Sequence, residues 1–198
     1  SVFNKLTNTI APNVPLVVDR VKFIGIASSS QPVQAFSSDN LGIFNTTISI
    51  DSTMFRNGYF LQIRVKDNND YITLPDKGEI RLYDLTNNTF KNLHISVYPK
   101  TNLTIKLNRN QTDNFQYFSV SYYFMDNQEF FPFSILSAQD ITKSELVVPT
   151  TTDLFTKIRV TKRNSSGVST SSIDSIQCFK NVNNIYTVNF WTKIGLMV

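Results

Sequence analysis

The side chains able to do chemistry are few and widely separated. His94 and Cys178 are the chain's one histidine and one cysteine, so a Cys–His nucleophile pair has a single arrangement open to it. His94 sits on the polar side of an alternating stretch, with no carboxylate or cysteine near it in sequence, and reads as a solvent-facing strand residue. Cys178 lies beside Ile176 and Phe179 without a small-residue elbow, and reads as a small buried hydrophobe rather than a thiolate. No Gly-x-Ser-x-Gly elbow is present. The six glycines never come closer than sixteen residues apart, which excludes a phosphate-cradling loop and a dinucleotide fingerprint. One His and one Cys disfavour zinc. The pairs Asp67/Asp70 and Asp76/Glu79 could offer oxygen ligands to calcium, but neither has the spacing of a known loop, so both read as turns. A glycosidase-type carboxylate pair meets only in space, and Asp84 and Glu129 are the least turn-like acids. No catalytic residue, cofactor or metal is assigned, and the chain is expected to be non-enzymatic.

These residues must be carried by elements whose type the composition already narrows. Apolar residues form 41% of the 198 residues and charged ones only 17%, below the roughly 25% usual in soluble domains. Surface polarity therefore falls to 21 Asn, 20 Ser and 20 Thr, against four Ala. Asn and Ser compete for the backbone and Thr is β-branched, so this mixture suits turns and strand faces. A chain of this length buries about 70% of its unfolded surface without metal or disulfide. Its net charge of +4 is modest. The densest basic run, Lys157, Arg159, Lys162 and Arg163, reads as a solvated strand face, and nucleic acid is an unexpected partner. One cysteine excludes an intramolecular disulfide. Neither a signal segment at the start nor an apolar run of about 18 residues is present, so no membrane span is expected. The five Asn-x-Ser/Thr sequons are close to the number such a composition produces by chance.

Period-two alternation recurs along the chain. In YFLQIRVK, Tyr59, Leu61, Ile63 and Val65 fall on one face and Gln62, Arg64 and Lys66 on the other, a half-buried strand. The same signature covers Phe44, Thr46, Ile48 and Ile50; Leu93, Ile95 and Val97; Leu103, Ile105 and Leu107; Leu154, Thr156, Ile158 and Val160; and Tyr186, Val188 and Phe190. Turn clusters about ten residues apart separate these runs, the spacing of an antiparallel sandwich or barrel. The predicted fold is all-β, an antiparallel β-sandwich of jelly-roll or immunoglobulin-like type. Residues 1–15, with two prolines and no steady period, are expected as an extended amino-terminal arm. Residues 16–198 form the sandwich body, and a division of it would fall near 137–153. Only SAQDITKSEL, 137–146, permits a short helix.

The stretch NFQYFSVSYYFMDNQEFFPF, 114–133, is dense in aromatic rings. Phe118, Val120, Tyr122 and Phe124 share one face, expected as core, while Tyr117 and Tyr123 lie on the other with serines and are expected to be partly exposed. The segment KIRVTKRNSSGVSTSS, 157–172, resembles the last hairpin of a fibronectin type III module: a basic strand, a small-residue turn and a Ser/Thr-rich strand follow in order. The likeness covers about sixteen residues and is one of hairpins rather than of families, because the family's earlier tryptophan is missing.

The function expected from these features is that of a structural or assembly protein, a virus or bacteriophage virion component such as a capsid, decoration or baseplate subunit, self-associating or joined to other structural proteins. The alternative is a carbohydrate-binding or adhesin module with a glycan stacked on exposed rings. The expected partner surface comprises Tyr117, Tyr123 and Trp191 together with the apolar tail residues Ile194, Leu196 and Val198.

Overall fold

The computed structural model describes residues 1–73, 78–83, 93–108, 115–124, 133–136, 145–164 and 166–189, and for 115–118, 124 and 133–136 the backbone alone. The architecture is all-β, built of open sheets whose pairings are mostly antiparallel. The chain divides into two compact units, Ser1–Pro99 and Lys100–Val198, rather than near 137–153.

The first unit holds strands β1 (Val2–Asn4), β2 (Thr9–Ile10), β3 (Pro15–Ile24), β4 (Ala27–Ser37), β5 (Tyr59–Val65), β6 (Tyr71–Ile72), β7 (Glu79–Leu82) and the start of β8 (Ile95–Asn108), with a 3-10 segment, Ser52–Gly58, before β5. One sheet has the order β4-β3-β5-β7, antiparallel throughout. Elsewhere β1 pairs with β2 and, in parallel, with residues 95–97 of β8, while β6 pairs with Tyr98 and Pro99. A single core takes Leu16, Val18, Leu61, Ile63 and Leu82 from the first sheet and Val2, Ile95 and Val97 from the second group. The alternation of YFLQIRVK is thus met at Leu61 and Ile63, both buried.

Two expectations are corrected here. Residues 1–15 are not a free arm: Val2, Ala11 and Val14 are buried, and β1 is hydrogen-bonded on both sides. The prolines that suggested an arm sit at turns and at the first residue of β3, where a missing N–H costs no ladder bond. Residues 43–50 keep their expected alternation of burial, with Phe44, Ile48 and Ile50 packed against the core, yet they belong to no ladder. Periodicity reports which face is buried, whereas a strand also needs a neighbour.

The second unit contains the rest of β8 with β9 (Phe115–Phe124), β10 (Phe133–Leu136), β11 (Glu145–Thr151), β12 (Thr156–Asn164), β13 (Ser169–Ile176) and β14 (Asn184–Asn189). Residues 100–108 of β8 lie between β11, antiparallel, and β14, parallel. The other sheet runs β10-β9-β12-β13. Its β12–β13 hairpin is the one whose sequence resembles the fibronectin type III turn, closed by Asn164 and by Gly167 at φ 79°. Leu103, Ile105, Leu107, Val148 and Val188 from the first sheet meet Val120, Tyr122, Ile158 and Val160 from the second in one core. Phe118 and the 137–144 segment, expected as core and as helix-permitting, lie outside what is described at side-chain and backbone level respectively.

Candidate partner-binding surfaces

The β3–β5–β7 sheet has a second face, and its residues are unlike those of the core. Cross-strand register places Asp19 beside Gln62 and Gln62 beside Arg81, with Arg64 beside Glu79 one step along. Asp19 is buried at a bulge between Val18 and Asp19, where the β4 partner is Pro32. Arg64 Nε donates to its Oδ2 at 2.6 Å. Arg81 Nε donates to Glu79 Oε1 at 2.6 Å, and Gln62 Nε2 donates to the other carboxylate oxygen. Both acids in this row, Asp19 and Glu79, are therefore held by a cation or an amide.

Beyond the charged row lies a row of rings. Phe60 is buried between Phe23, centroids 5.4 Å apart, and Tyr83, 5.2 Å apart. The Arg81 guanidinium lies 5.7 Å from the Phe23 ring and 5.9 Å from Phe60, within cation–π range. Phe23 is 55% exposed and Tyr83 62%, so each offers an open face. The arrangement can stack against an apolar or planar partner while Arg81 supplies a cation beside it.

Phe23 also begins the tip of the β3–β4 hairpin. Gly25 at φ 63° occupies the first place of the two-residue turn, which glycine adopts at no steric cost. Ile26 follows and is fully exposed, and Ile24 before it is 62% exposed. A hairpin turn ordinarily carries polar residues, and here three exposed apolar side chains gather at one tip. The back of the hairpin is fastened: Arg20 donates to Met54 O at 2.9 Å and Thr53 O at 3.0 Å, and its guanidinium lies 3.9 Å from the Tyr59 ring. The acceptors belong to the 3-10 segment, whose Asp51 cap accepts from Thr53, and those bonds hold the Asp51 carboxyl below its usual range.

In the second unit, the outer face of β9, β12 and β13 sets Ser121, Arg159 and Ile173 in one row and Tyr123, Lys157 and Ser175 in the next. Lys157 and Arg159 share that face. Tyr123 departs from expectation: it is 2% exposed and offers no open ring. Strand β9 is interior to its sheet, flanked by β10 and β12. Tyr117 lies on the same strand with its side chain outside the described atoms, and Trp191, Ile194, Leu196 and Val198 lie outside the described residues, as do Asp84 and Glu129. His94 is exposed and its Nδ1 is 2.9 Å from Ser1 Oγ. Cys178 is buried 4.0 Å from Thr156 Oγ1, and burial raises its thiol pKa. The histidine and the cysteine belong to different units. Asn68 Oδ1 accepts from the Asp70 and Tyr71 amides, which makes the Asp67/Asp70 stretch a side-chain-capped turn. Among the described residues no three His, Cys, Asp or Glu side chains converge on a metal position, and no helix is long and apolar enough to cross a membrane.

Two residues have structural roles not assigned to them from sequence. Asn184 is buried, accepts from Phe179 N at 2.9 Å and donates to Asn102 O at 3.0 Å, tying the loop before β14 to β8. Tyr186 donates its hydroxyl to Asp174 Oδ2 at 2.9 Å. Burial, then that bond and the Asp174 charge, push the Tyr186 pKa up to about 12, and burial also raises that of Tyr122. A phenol whose folded pKa exceeds its unfolded value of about 10 contributes stability that is intact below pH 10 and lost as pH climbs toward the folded value. The second unit is therefore expected to lose stability between about pH 10 and 12. Tyr186→Phe should flatten that decline in denaturant titrations, and an unchanged slope would remove Tyr186 from the account.

No protein-family model, curated protein or solved structure matches the chain. Fold and surface together define an all-β protein with exposed aromatic and apolar residues.

Proposed function

We propose that this protein is a non-enzymatic structural component that assembles with its own copies, in the setting of a virus or bacteriophage virion as a capsid, decoration or baseplate subunit. Each unit is read as a β-sandwich, supported by cores that draw side chains from two groups of strands. The observation that carries the assembly reading is the β3–β4 tip, where Phe23, Ile24 and Ile26 stand in solvent on a hairpin braced from behind by Arg20. Such a tip gains from burial on a neighbour about 25 cal/mol for each Å² of apolar surface removed from water.

The test is the mass in solution, by light scattering over a concentration series, of the native chain and of a variant carrying Phe23→Ser, Ile24→Ser and Ile26→Ser. The native chain should form oligomers and the variant should shift to smaller species. Equal masses would exclude the tip as a contact, and a native monomer at every concentration would sink the assembly reading. Removal of residues 1–15 is a poor substitute, since it would strip buried Val2 and Val14 from the first core.

The second reading, a carbohydrate-binding or adhesin module, is favoured by one feature, the open faces of Phe23 and Tyr83 beside Arg81. A monomer that binds glycans and loses them on Tyr83→Ala would establish it in place of assembly.

A further inference from the structure

Residues 44–50, FNTTISI, combine three properties rarely found together. Their side chains alternate as in a half-buried strand: Phe44, Ile48 and Ile50 pack against the first unit's core, with the Phe44 ring 5.8 Å from Phe36, while Asn45, Thr47 and Ser49 face solvent. Their backbone makes no ladder. Among the described residues, backbone bonding stops at Ile43, which accepts from Asp39 N, and resumes at Asp51, which accepts from Met54 N. The contact that does engage the stretch is a side-chain bond from Gln34 Nε2 to Thr46 Oγ1 at 2.9 Å.

The third property is the lack of any guard. Exposed strand edges in natural proteins are blunted by charge, proline or bulges, because an open row of N–H and C=O groups is a template for another chain. Four outer strands of this protein follow that rule: β4 carries Pro32, β7 carries Glu79 and Arg81, β11 carries Glu145 and Pro149, and β13 carries Asp174, whereas the edges β2, β6, β10 and β14 carry neither charge nor proline. Residues 40–50 contain neither a charged residue nor a proline. The stretch is anchored by its apolar side chains, uncharged, and outside any ladder with the described residues, which suits it to accept a strand from outside.

We propose that residues 44–50 pair antiparallel with the same residues of a second copy, about a two-fold axis at Thr47. A two-fold contact is self-complementary and requires the antiparallel direction. With Thr47 opposite Thr47, Asn45 falls opposite Ser49 on the solvent side, and Phe44 falls opposite Ile50 on the core side. Polar neutral pairs and an aromatic against a β-branched residue are both favourable cross-strand partners. No like charges meet anywhere along the register, so a second copy fits the edge as well as any foreign strand could. This inference rests on the assembly reading and names one of its contact surfaces, separate from the hairpin tip.

Sedimentation velocity on the native chain and on Thr47→Lys tests it, joined by oxidative cross-linking of Thr47→Cys with Ser30→Cys as the exposed control. Thr47→Lys sets two cations against each other across the axis and should weaken dimerisation by about tenfold or more. Thr47→Cys should yield a disulfide-linked dimer that Ser30→Cys does not. A native chain that associates while Thr47→Lys associates equally well would overturn the pairing and leave the assembly reading standing. A native chain that stays monomeric would overturn both.

Discussion

Tyr122→Ala is expected to lower the stability of the second unit by about 3–5 kcal/mol, the range for deleting a large aromatic from a packed core. Tyr122 stands on β9 directly opposite Ile158 on β12, and both belong to the cluster that joins the two sheets of that unit. Deletion leaves a cavity in a cluster rich in Val and Ile, whose restricted rotamers limit its collapse. Ser121→Ala, one residue away on the outer face, should stay within about 0.5 kcal/mol. Hydrogen exchange across residues 100–198 gives the measurement, since it reports each unit's opening free energy separately. A cost under 1 kcal/mol for Tyr122→Ala would show that this face is not core. Tyr123→Ala provides a sharper comparison, because Tyr123 is as buried as Tyr122 while pointing to the other side of β9. A similar loss would establish that the aromatic strand is covered on both faces.

Gly42→Ala is expected to destabilise the first unit by about 2–5 kcal/mol, adding the left-handed backbone penalty of about 1–2 kcal/mol to overpacking of about 1–3 kcal/mol. Gly42 has φ 65°, and a Cβ there would lie 2.6 Å from Val2 O, 3.2 Å from Ala11 O and 3.3 Å from Ala11 N. All three are backbone atoms that cannot swing aside, and Val2 N itself donates to Gly42 O at 2.7 Å. The clash therefore strikes the pairing of β1 and the packing of Val2. Gly25→Ala isolates the backbone contribution, because Gly25 has φ 63° and nothing within 4 Å of the added carbon. Its cost should be about 1–2 kcal/mol. Equal losses at the two glycines in urea unfolding would mean that the amino-terminal strand yields to the extra carbon and is not packed as tightly as its burial implies.

Strict alternation marked several strands, although residues 44–50 alternate without joining a ladder. Tyr59 to Lys66, Leu103 to Leu107, Thr156 to Val160 and the β12–β13 turn are found where the periodicity places them. The surfaces were less legible. Tyr123 alternates with serines like an exposed ring and is nevertheless buried, and a strand's own alternation does not tell whether its second face is covered. The tip Phe23, Ile24 and Ile26 had a readable signal, apolar residues around a turn glycine, but exposure of an apolar run resembles burial of one until the hairpin's surroundings are known.

Local sequence sets what depends on near neighbours: an all-β chain, the period of its strands, the sites of its turns and the absence of phosphate-loop and nucleophile-elbow motifs. These follow from φ/ψ preference and from the two-residue repeat that sends alternate side chains to opposite faces. Only the tertiary structure decided what depends on distant meetings. It drew Val2 into a parallel pairing with Ile95, divided the chain between Pro99 and Lys100 along one continuous strand, and left residues 44–50 packed but without a ladder. Strand pairing is chosen by which edges come together once the cores have formed, and side chains ninety residues apart carry no local mark of that choice.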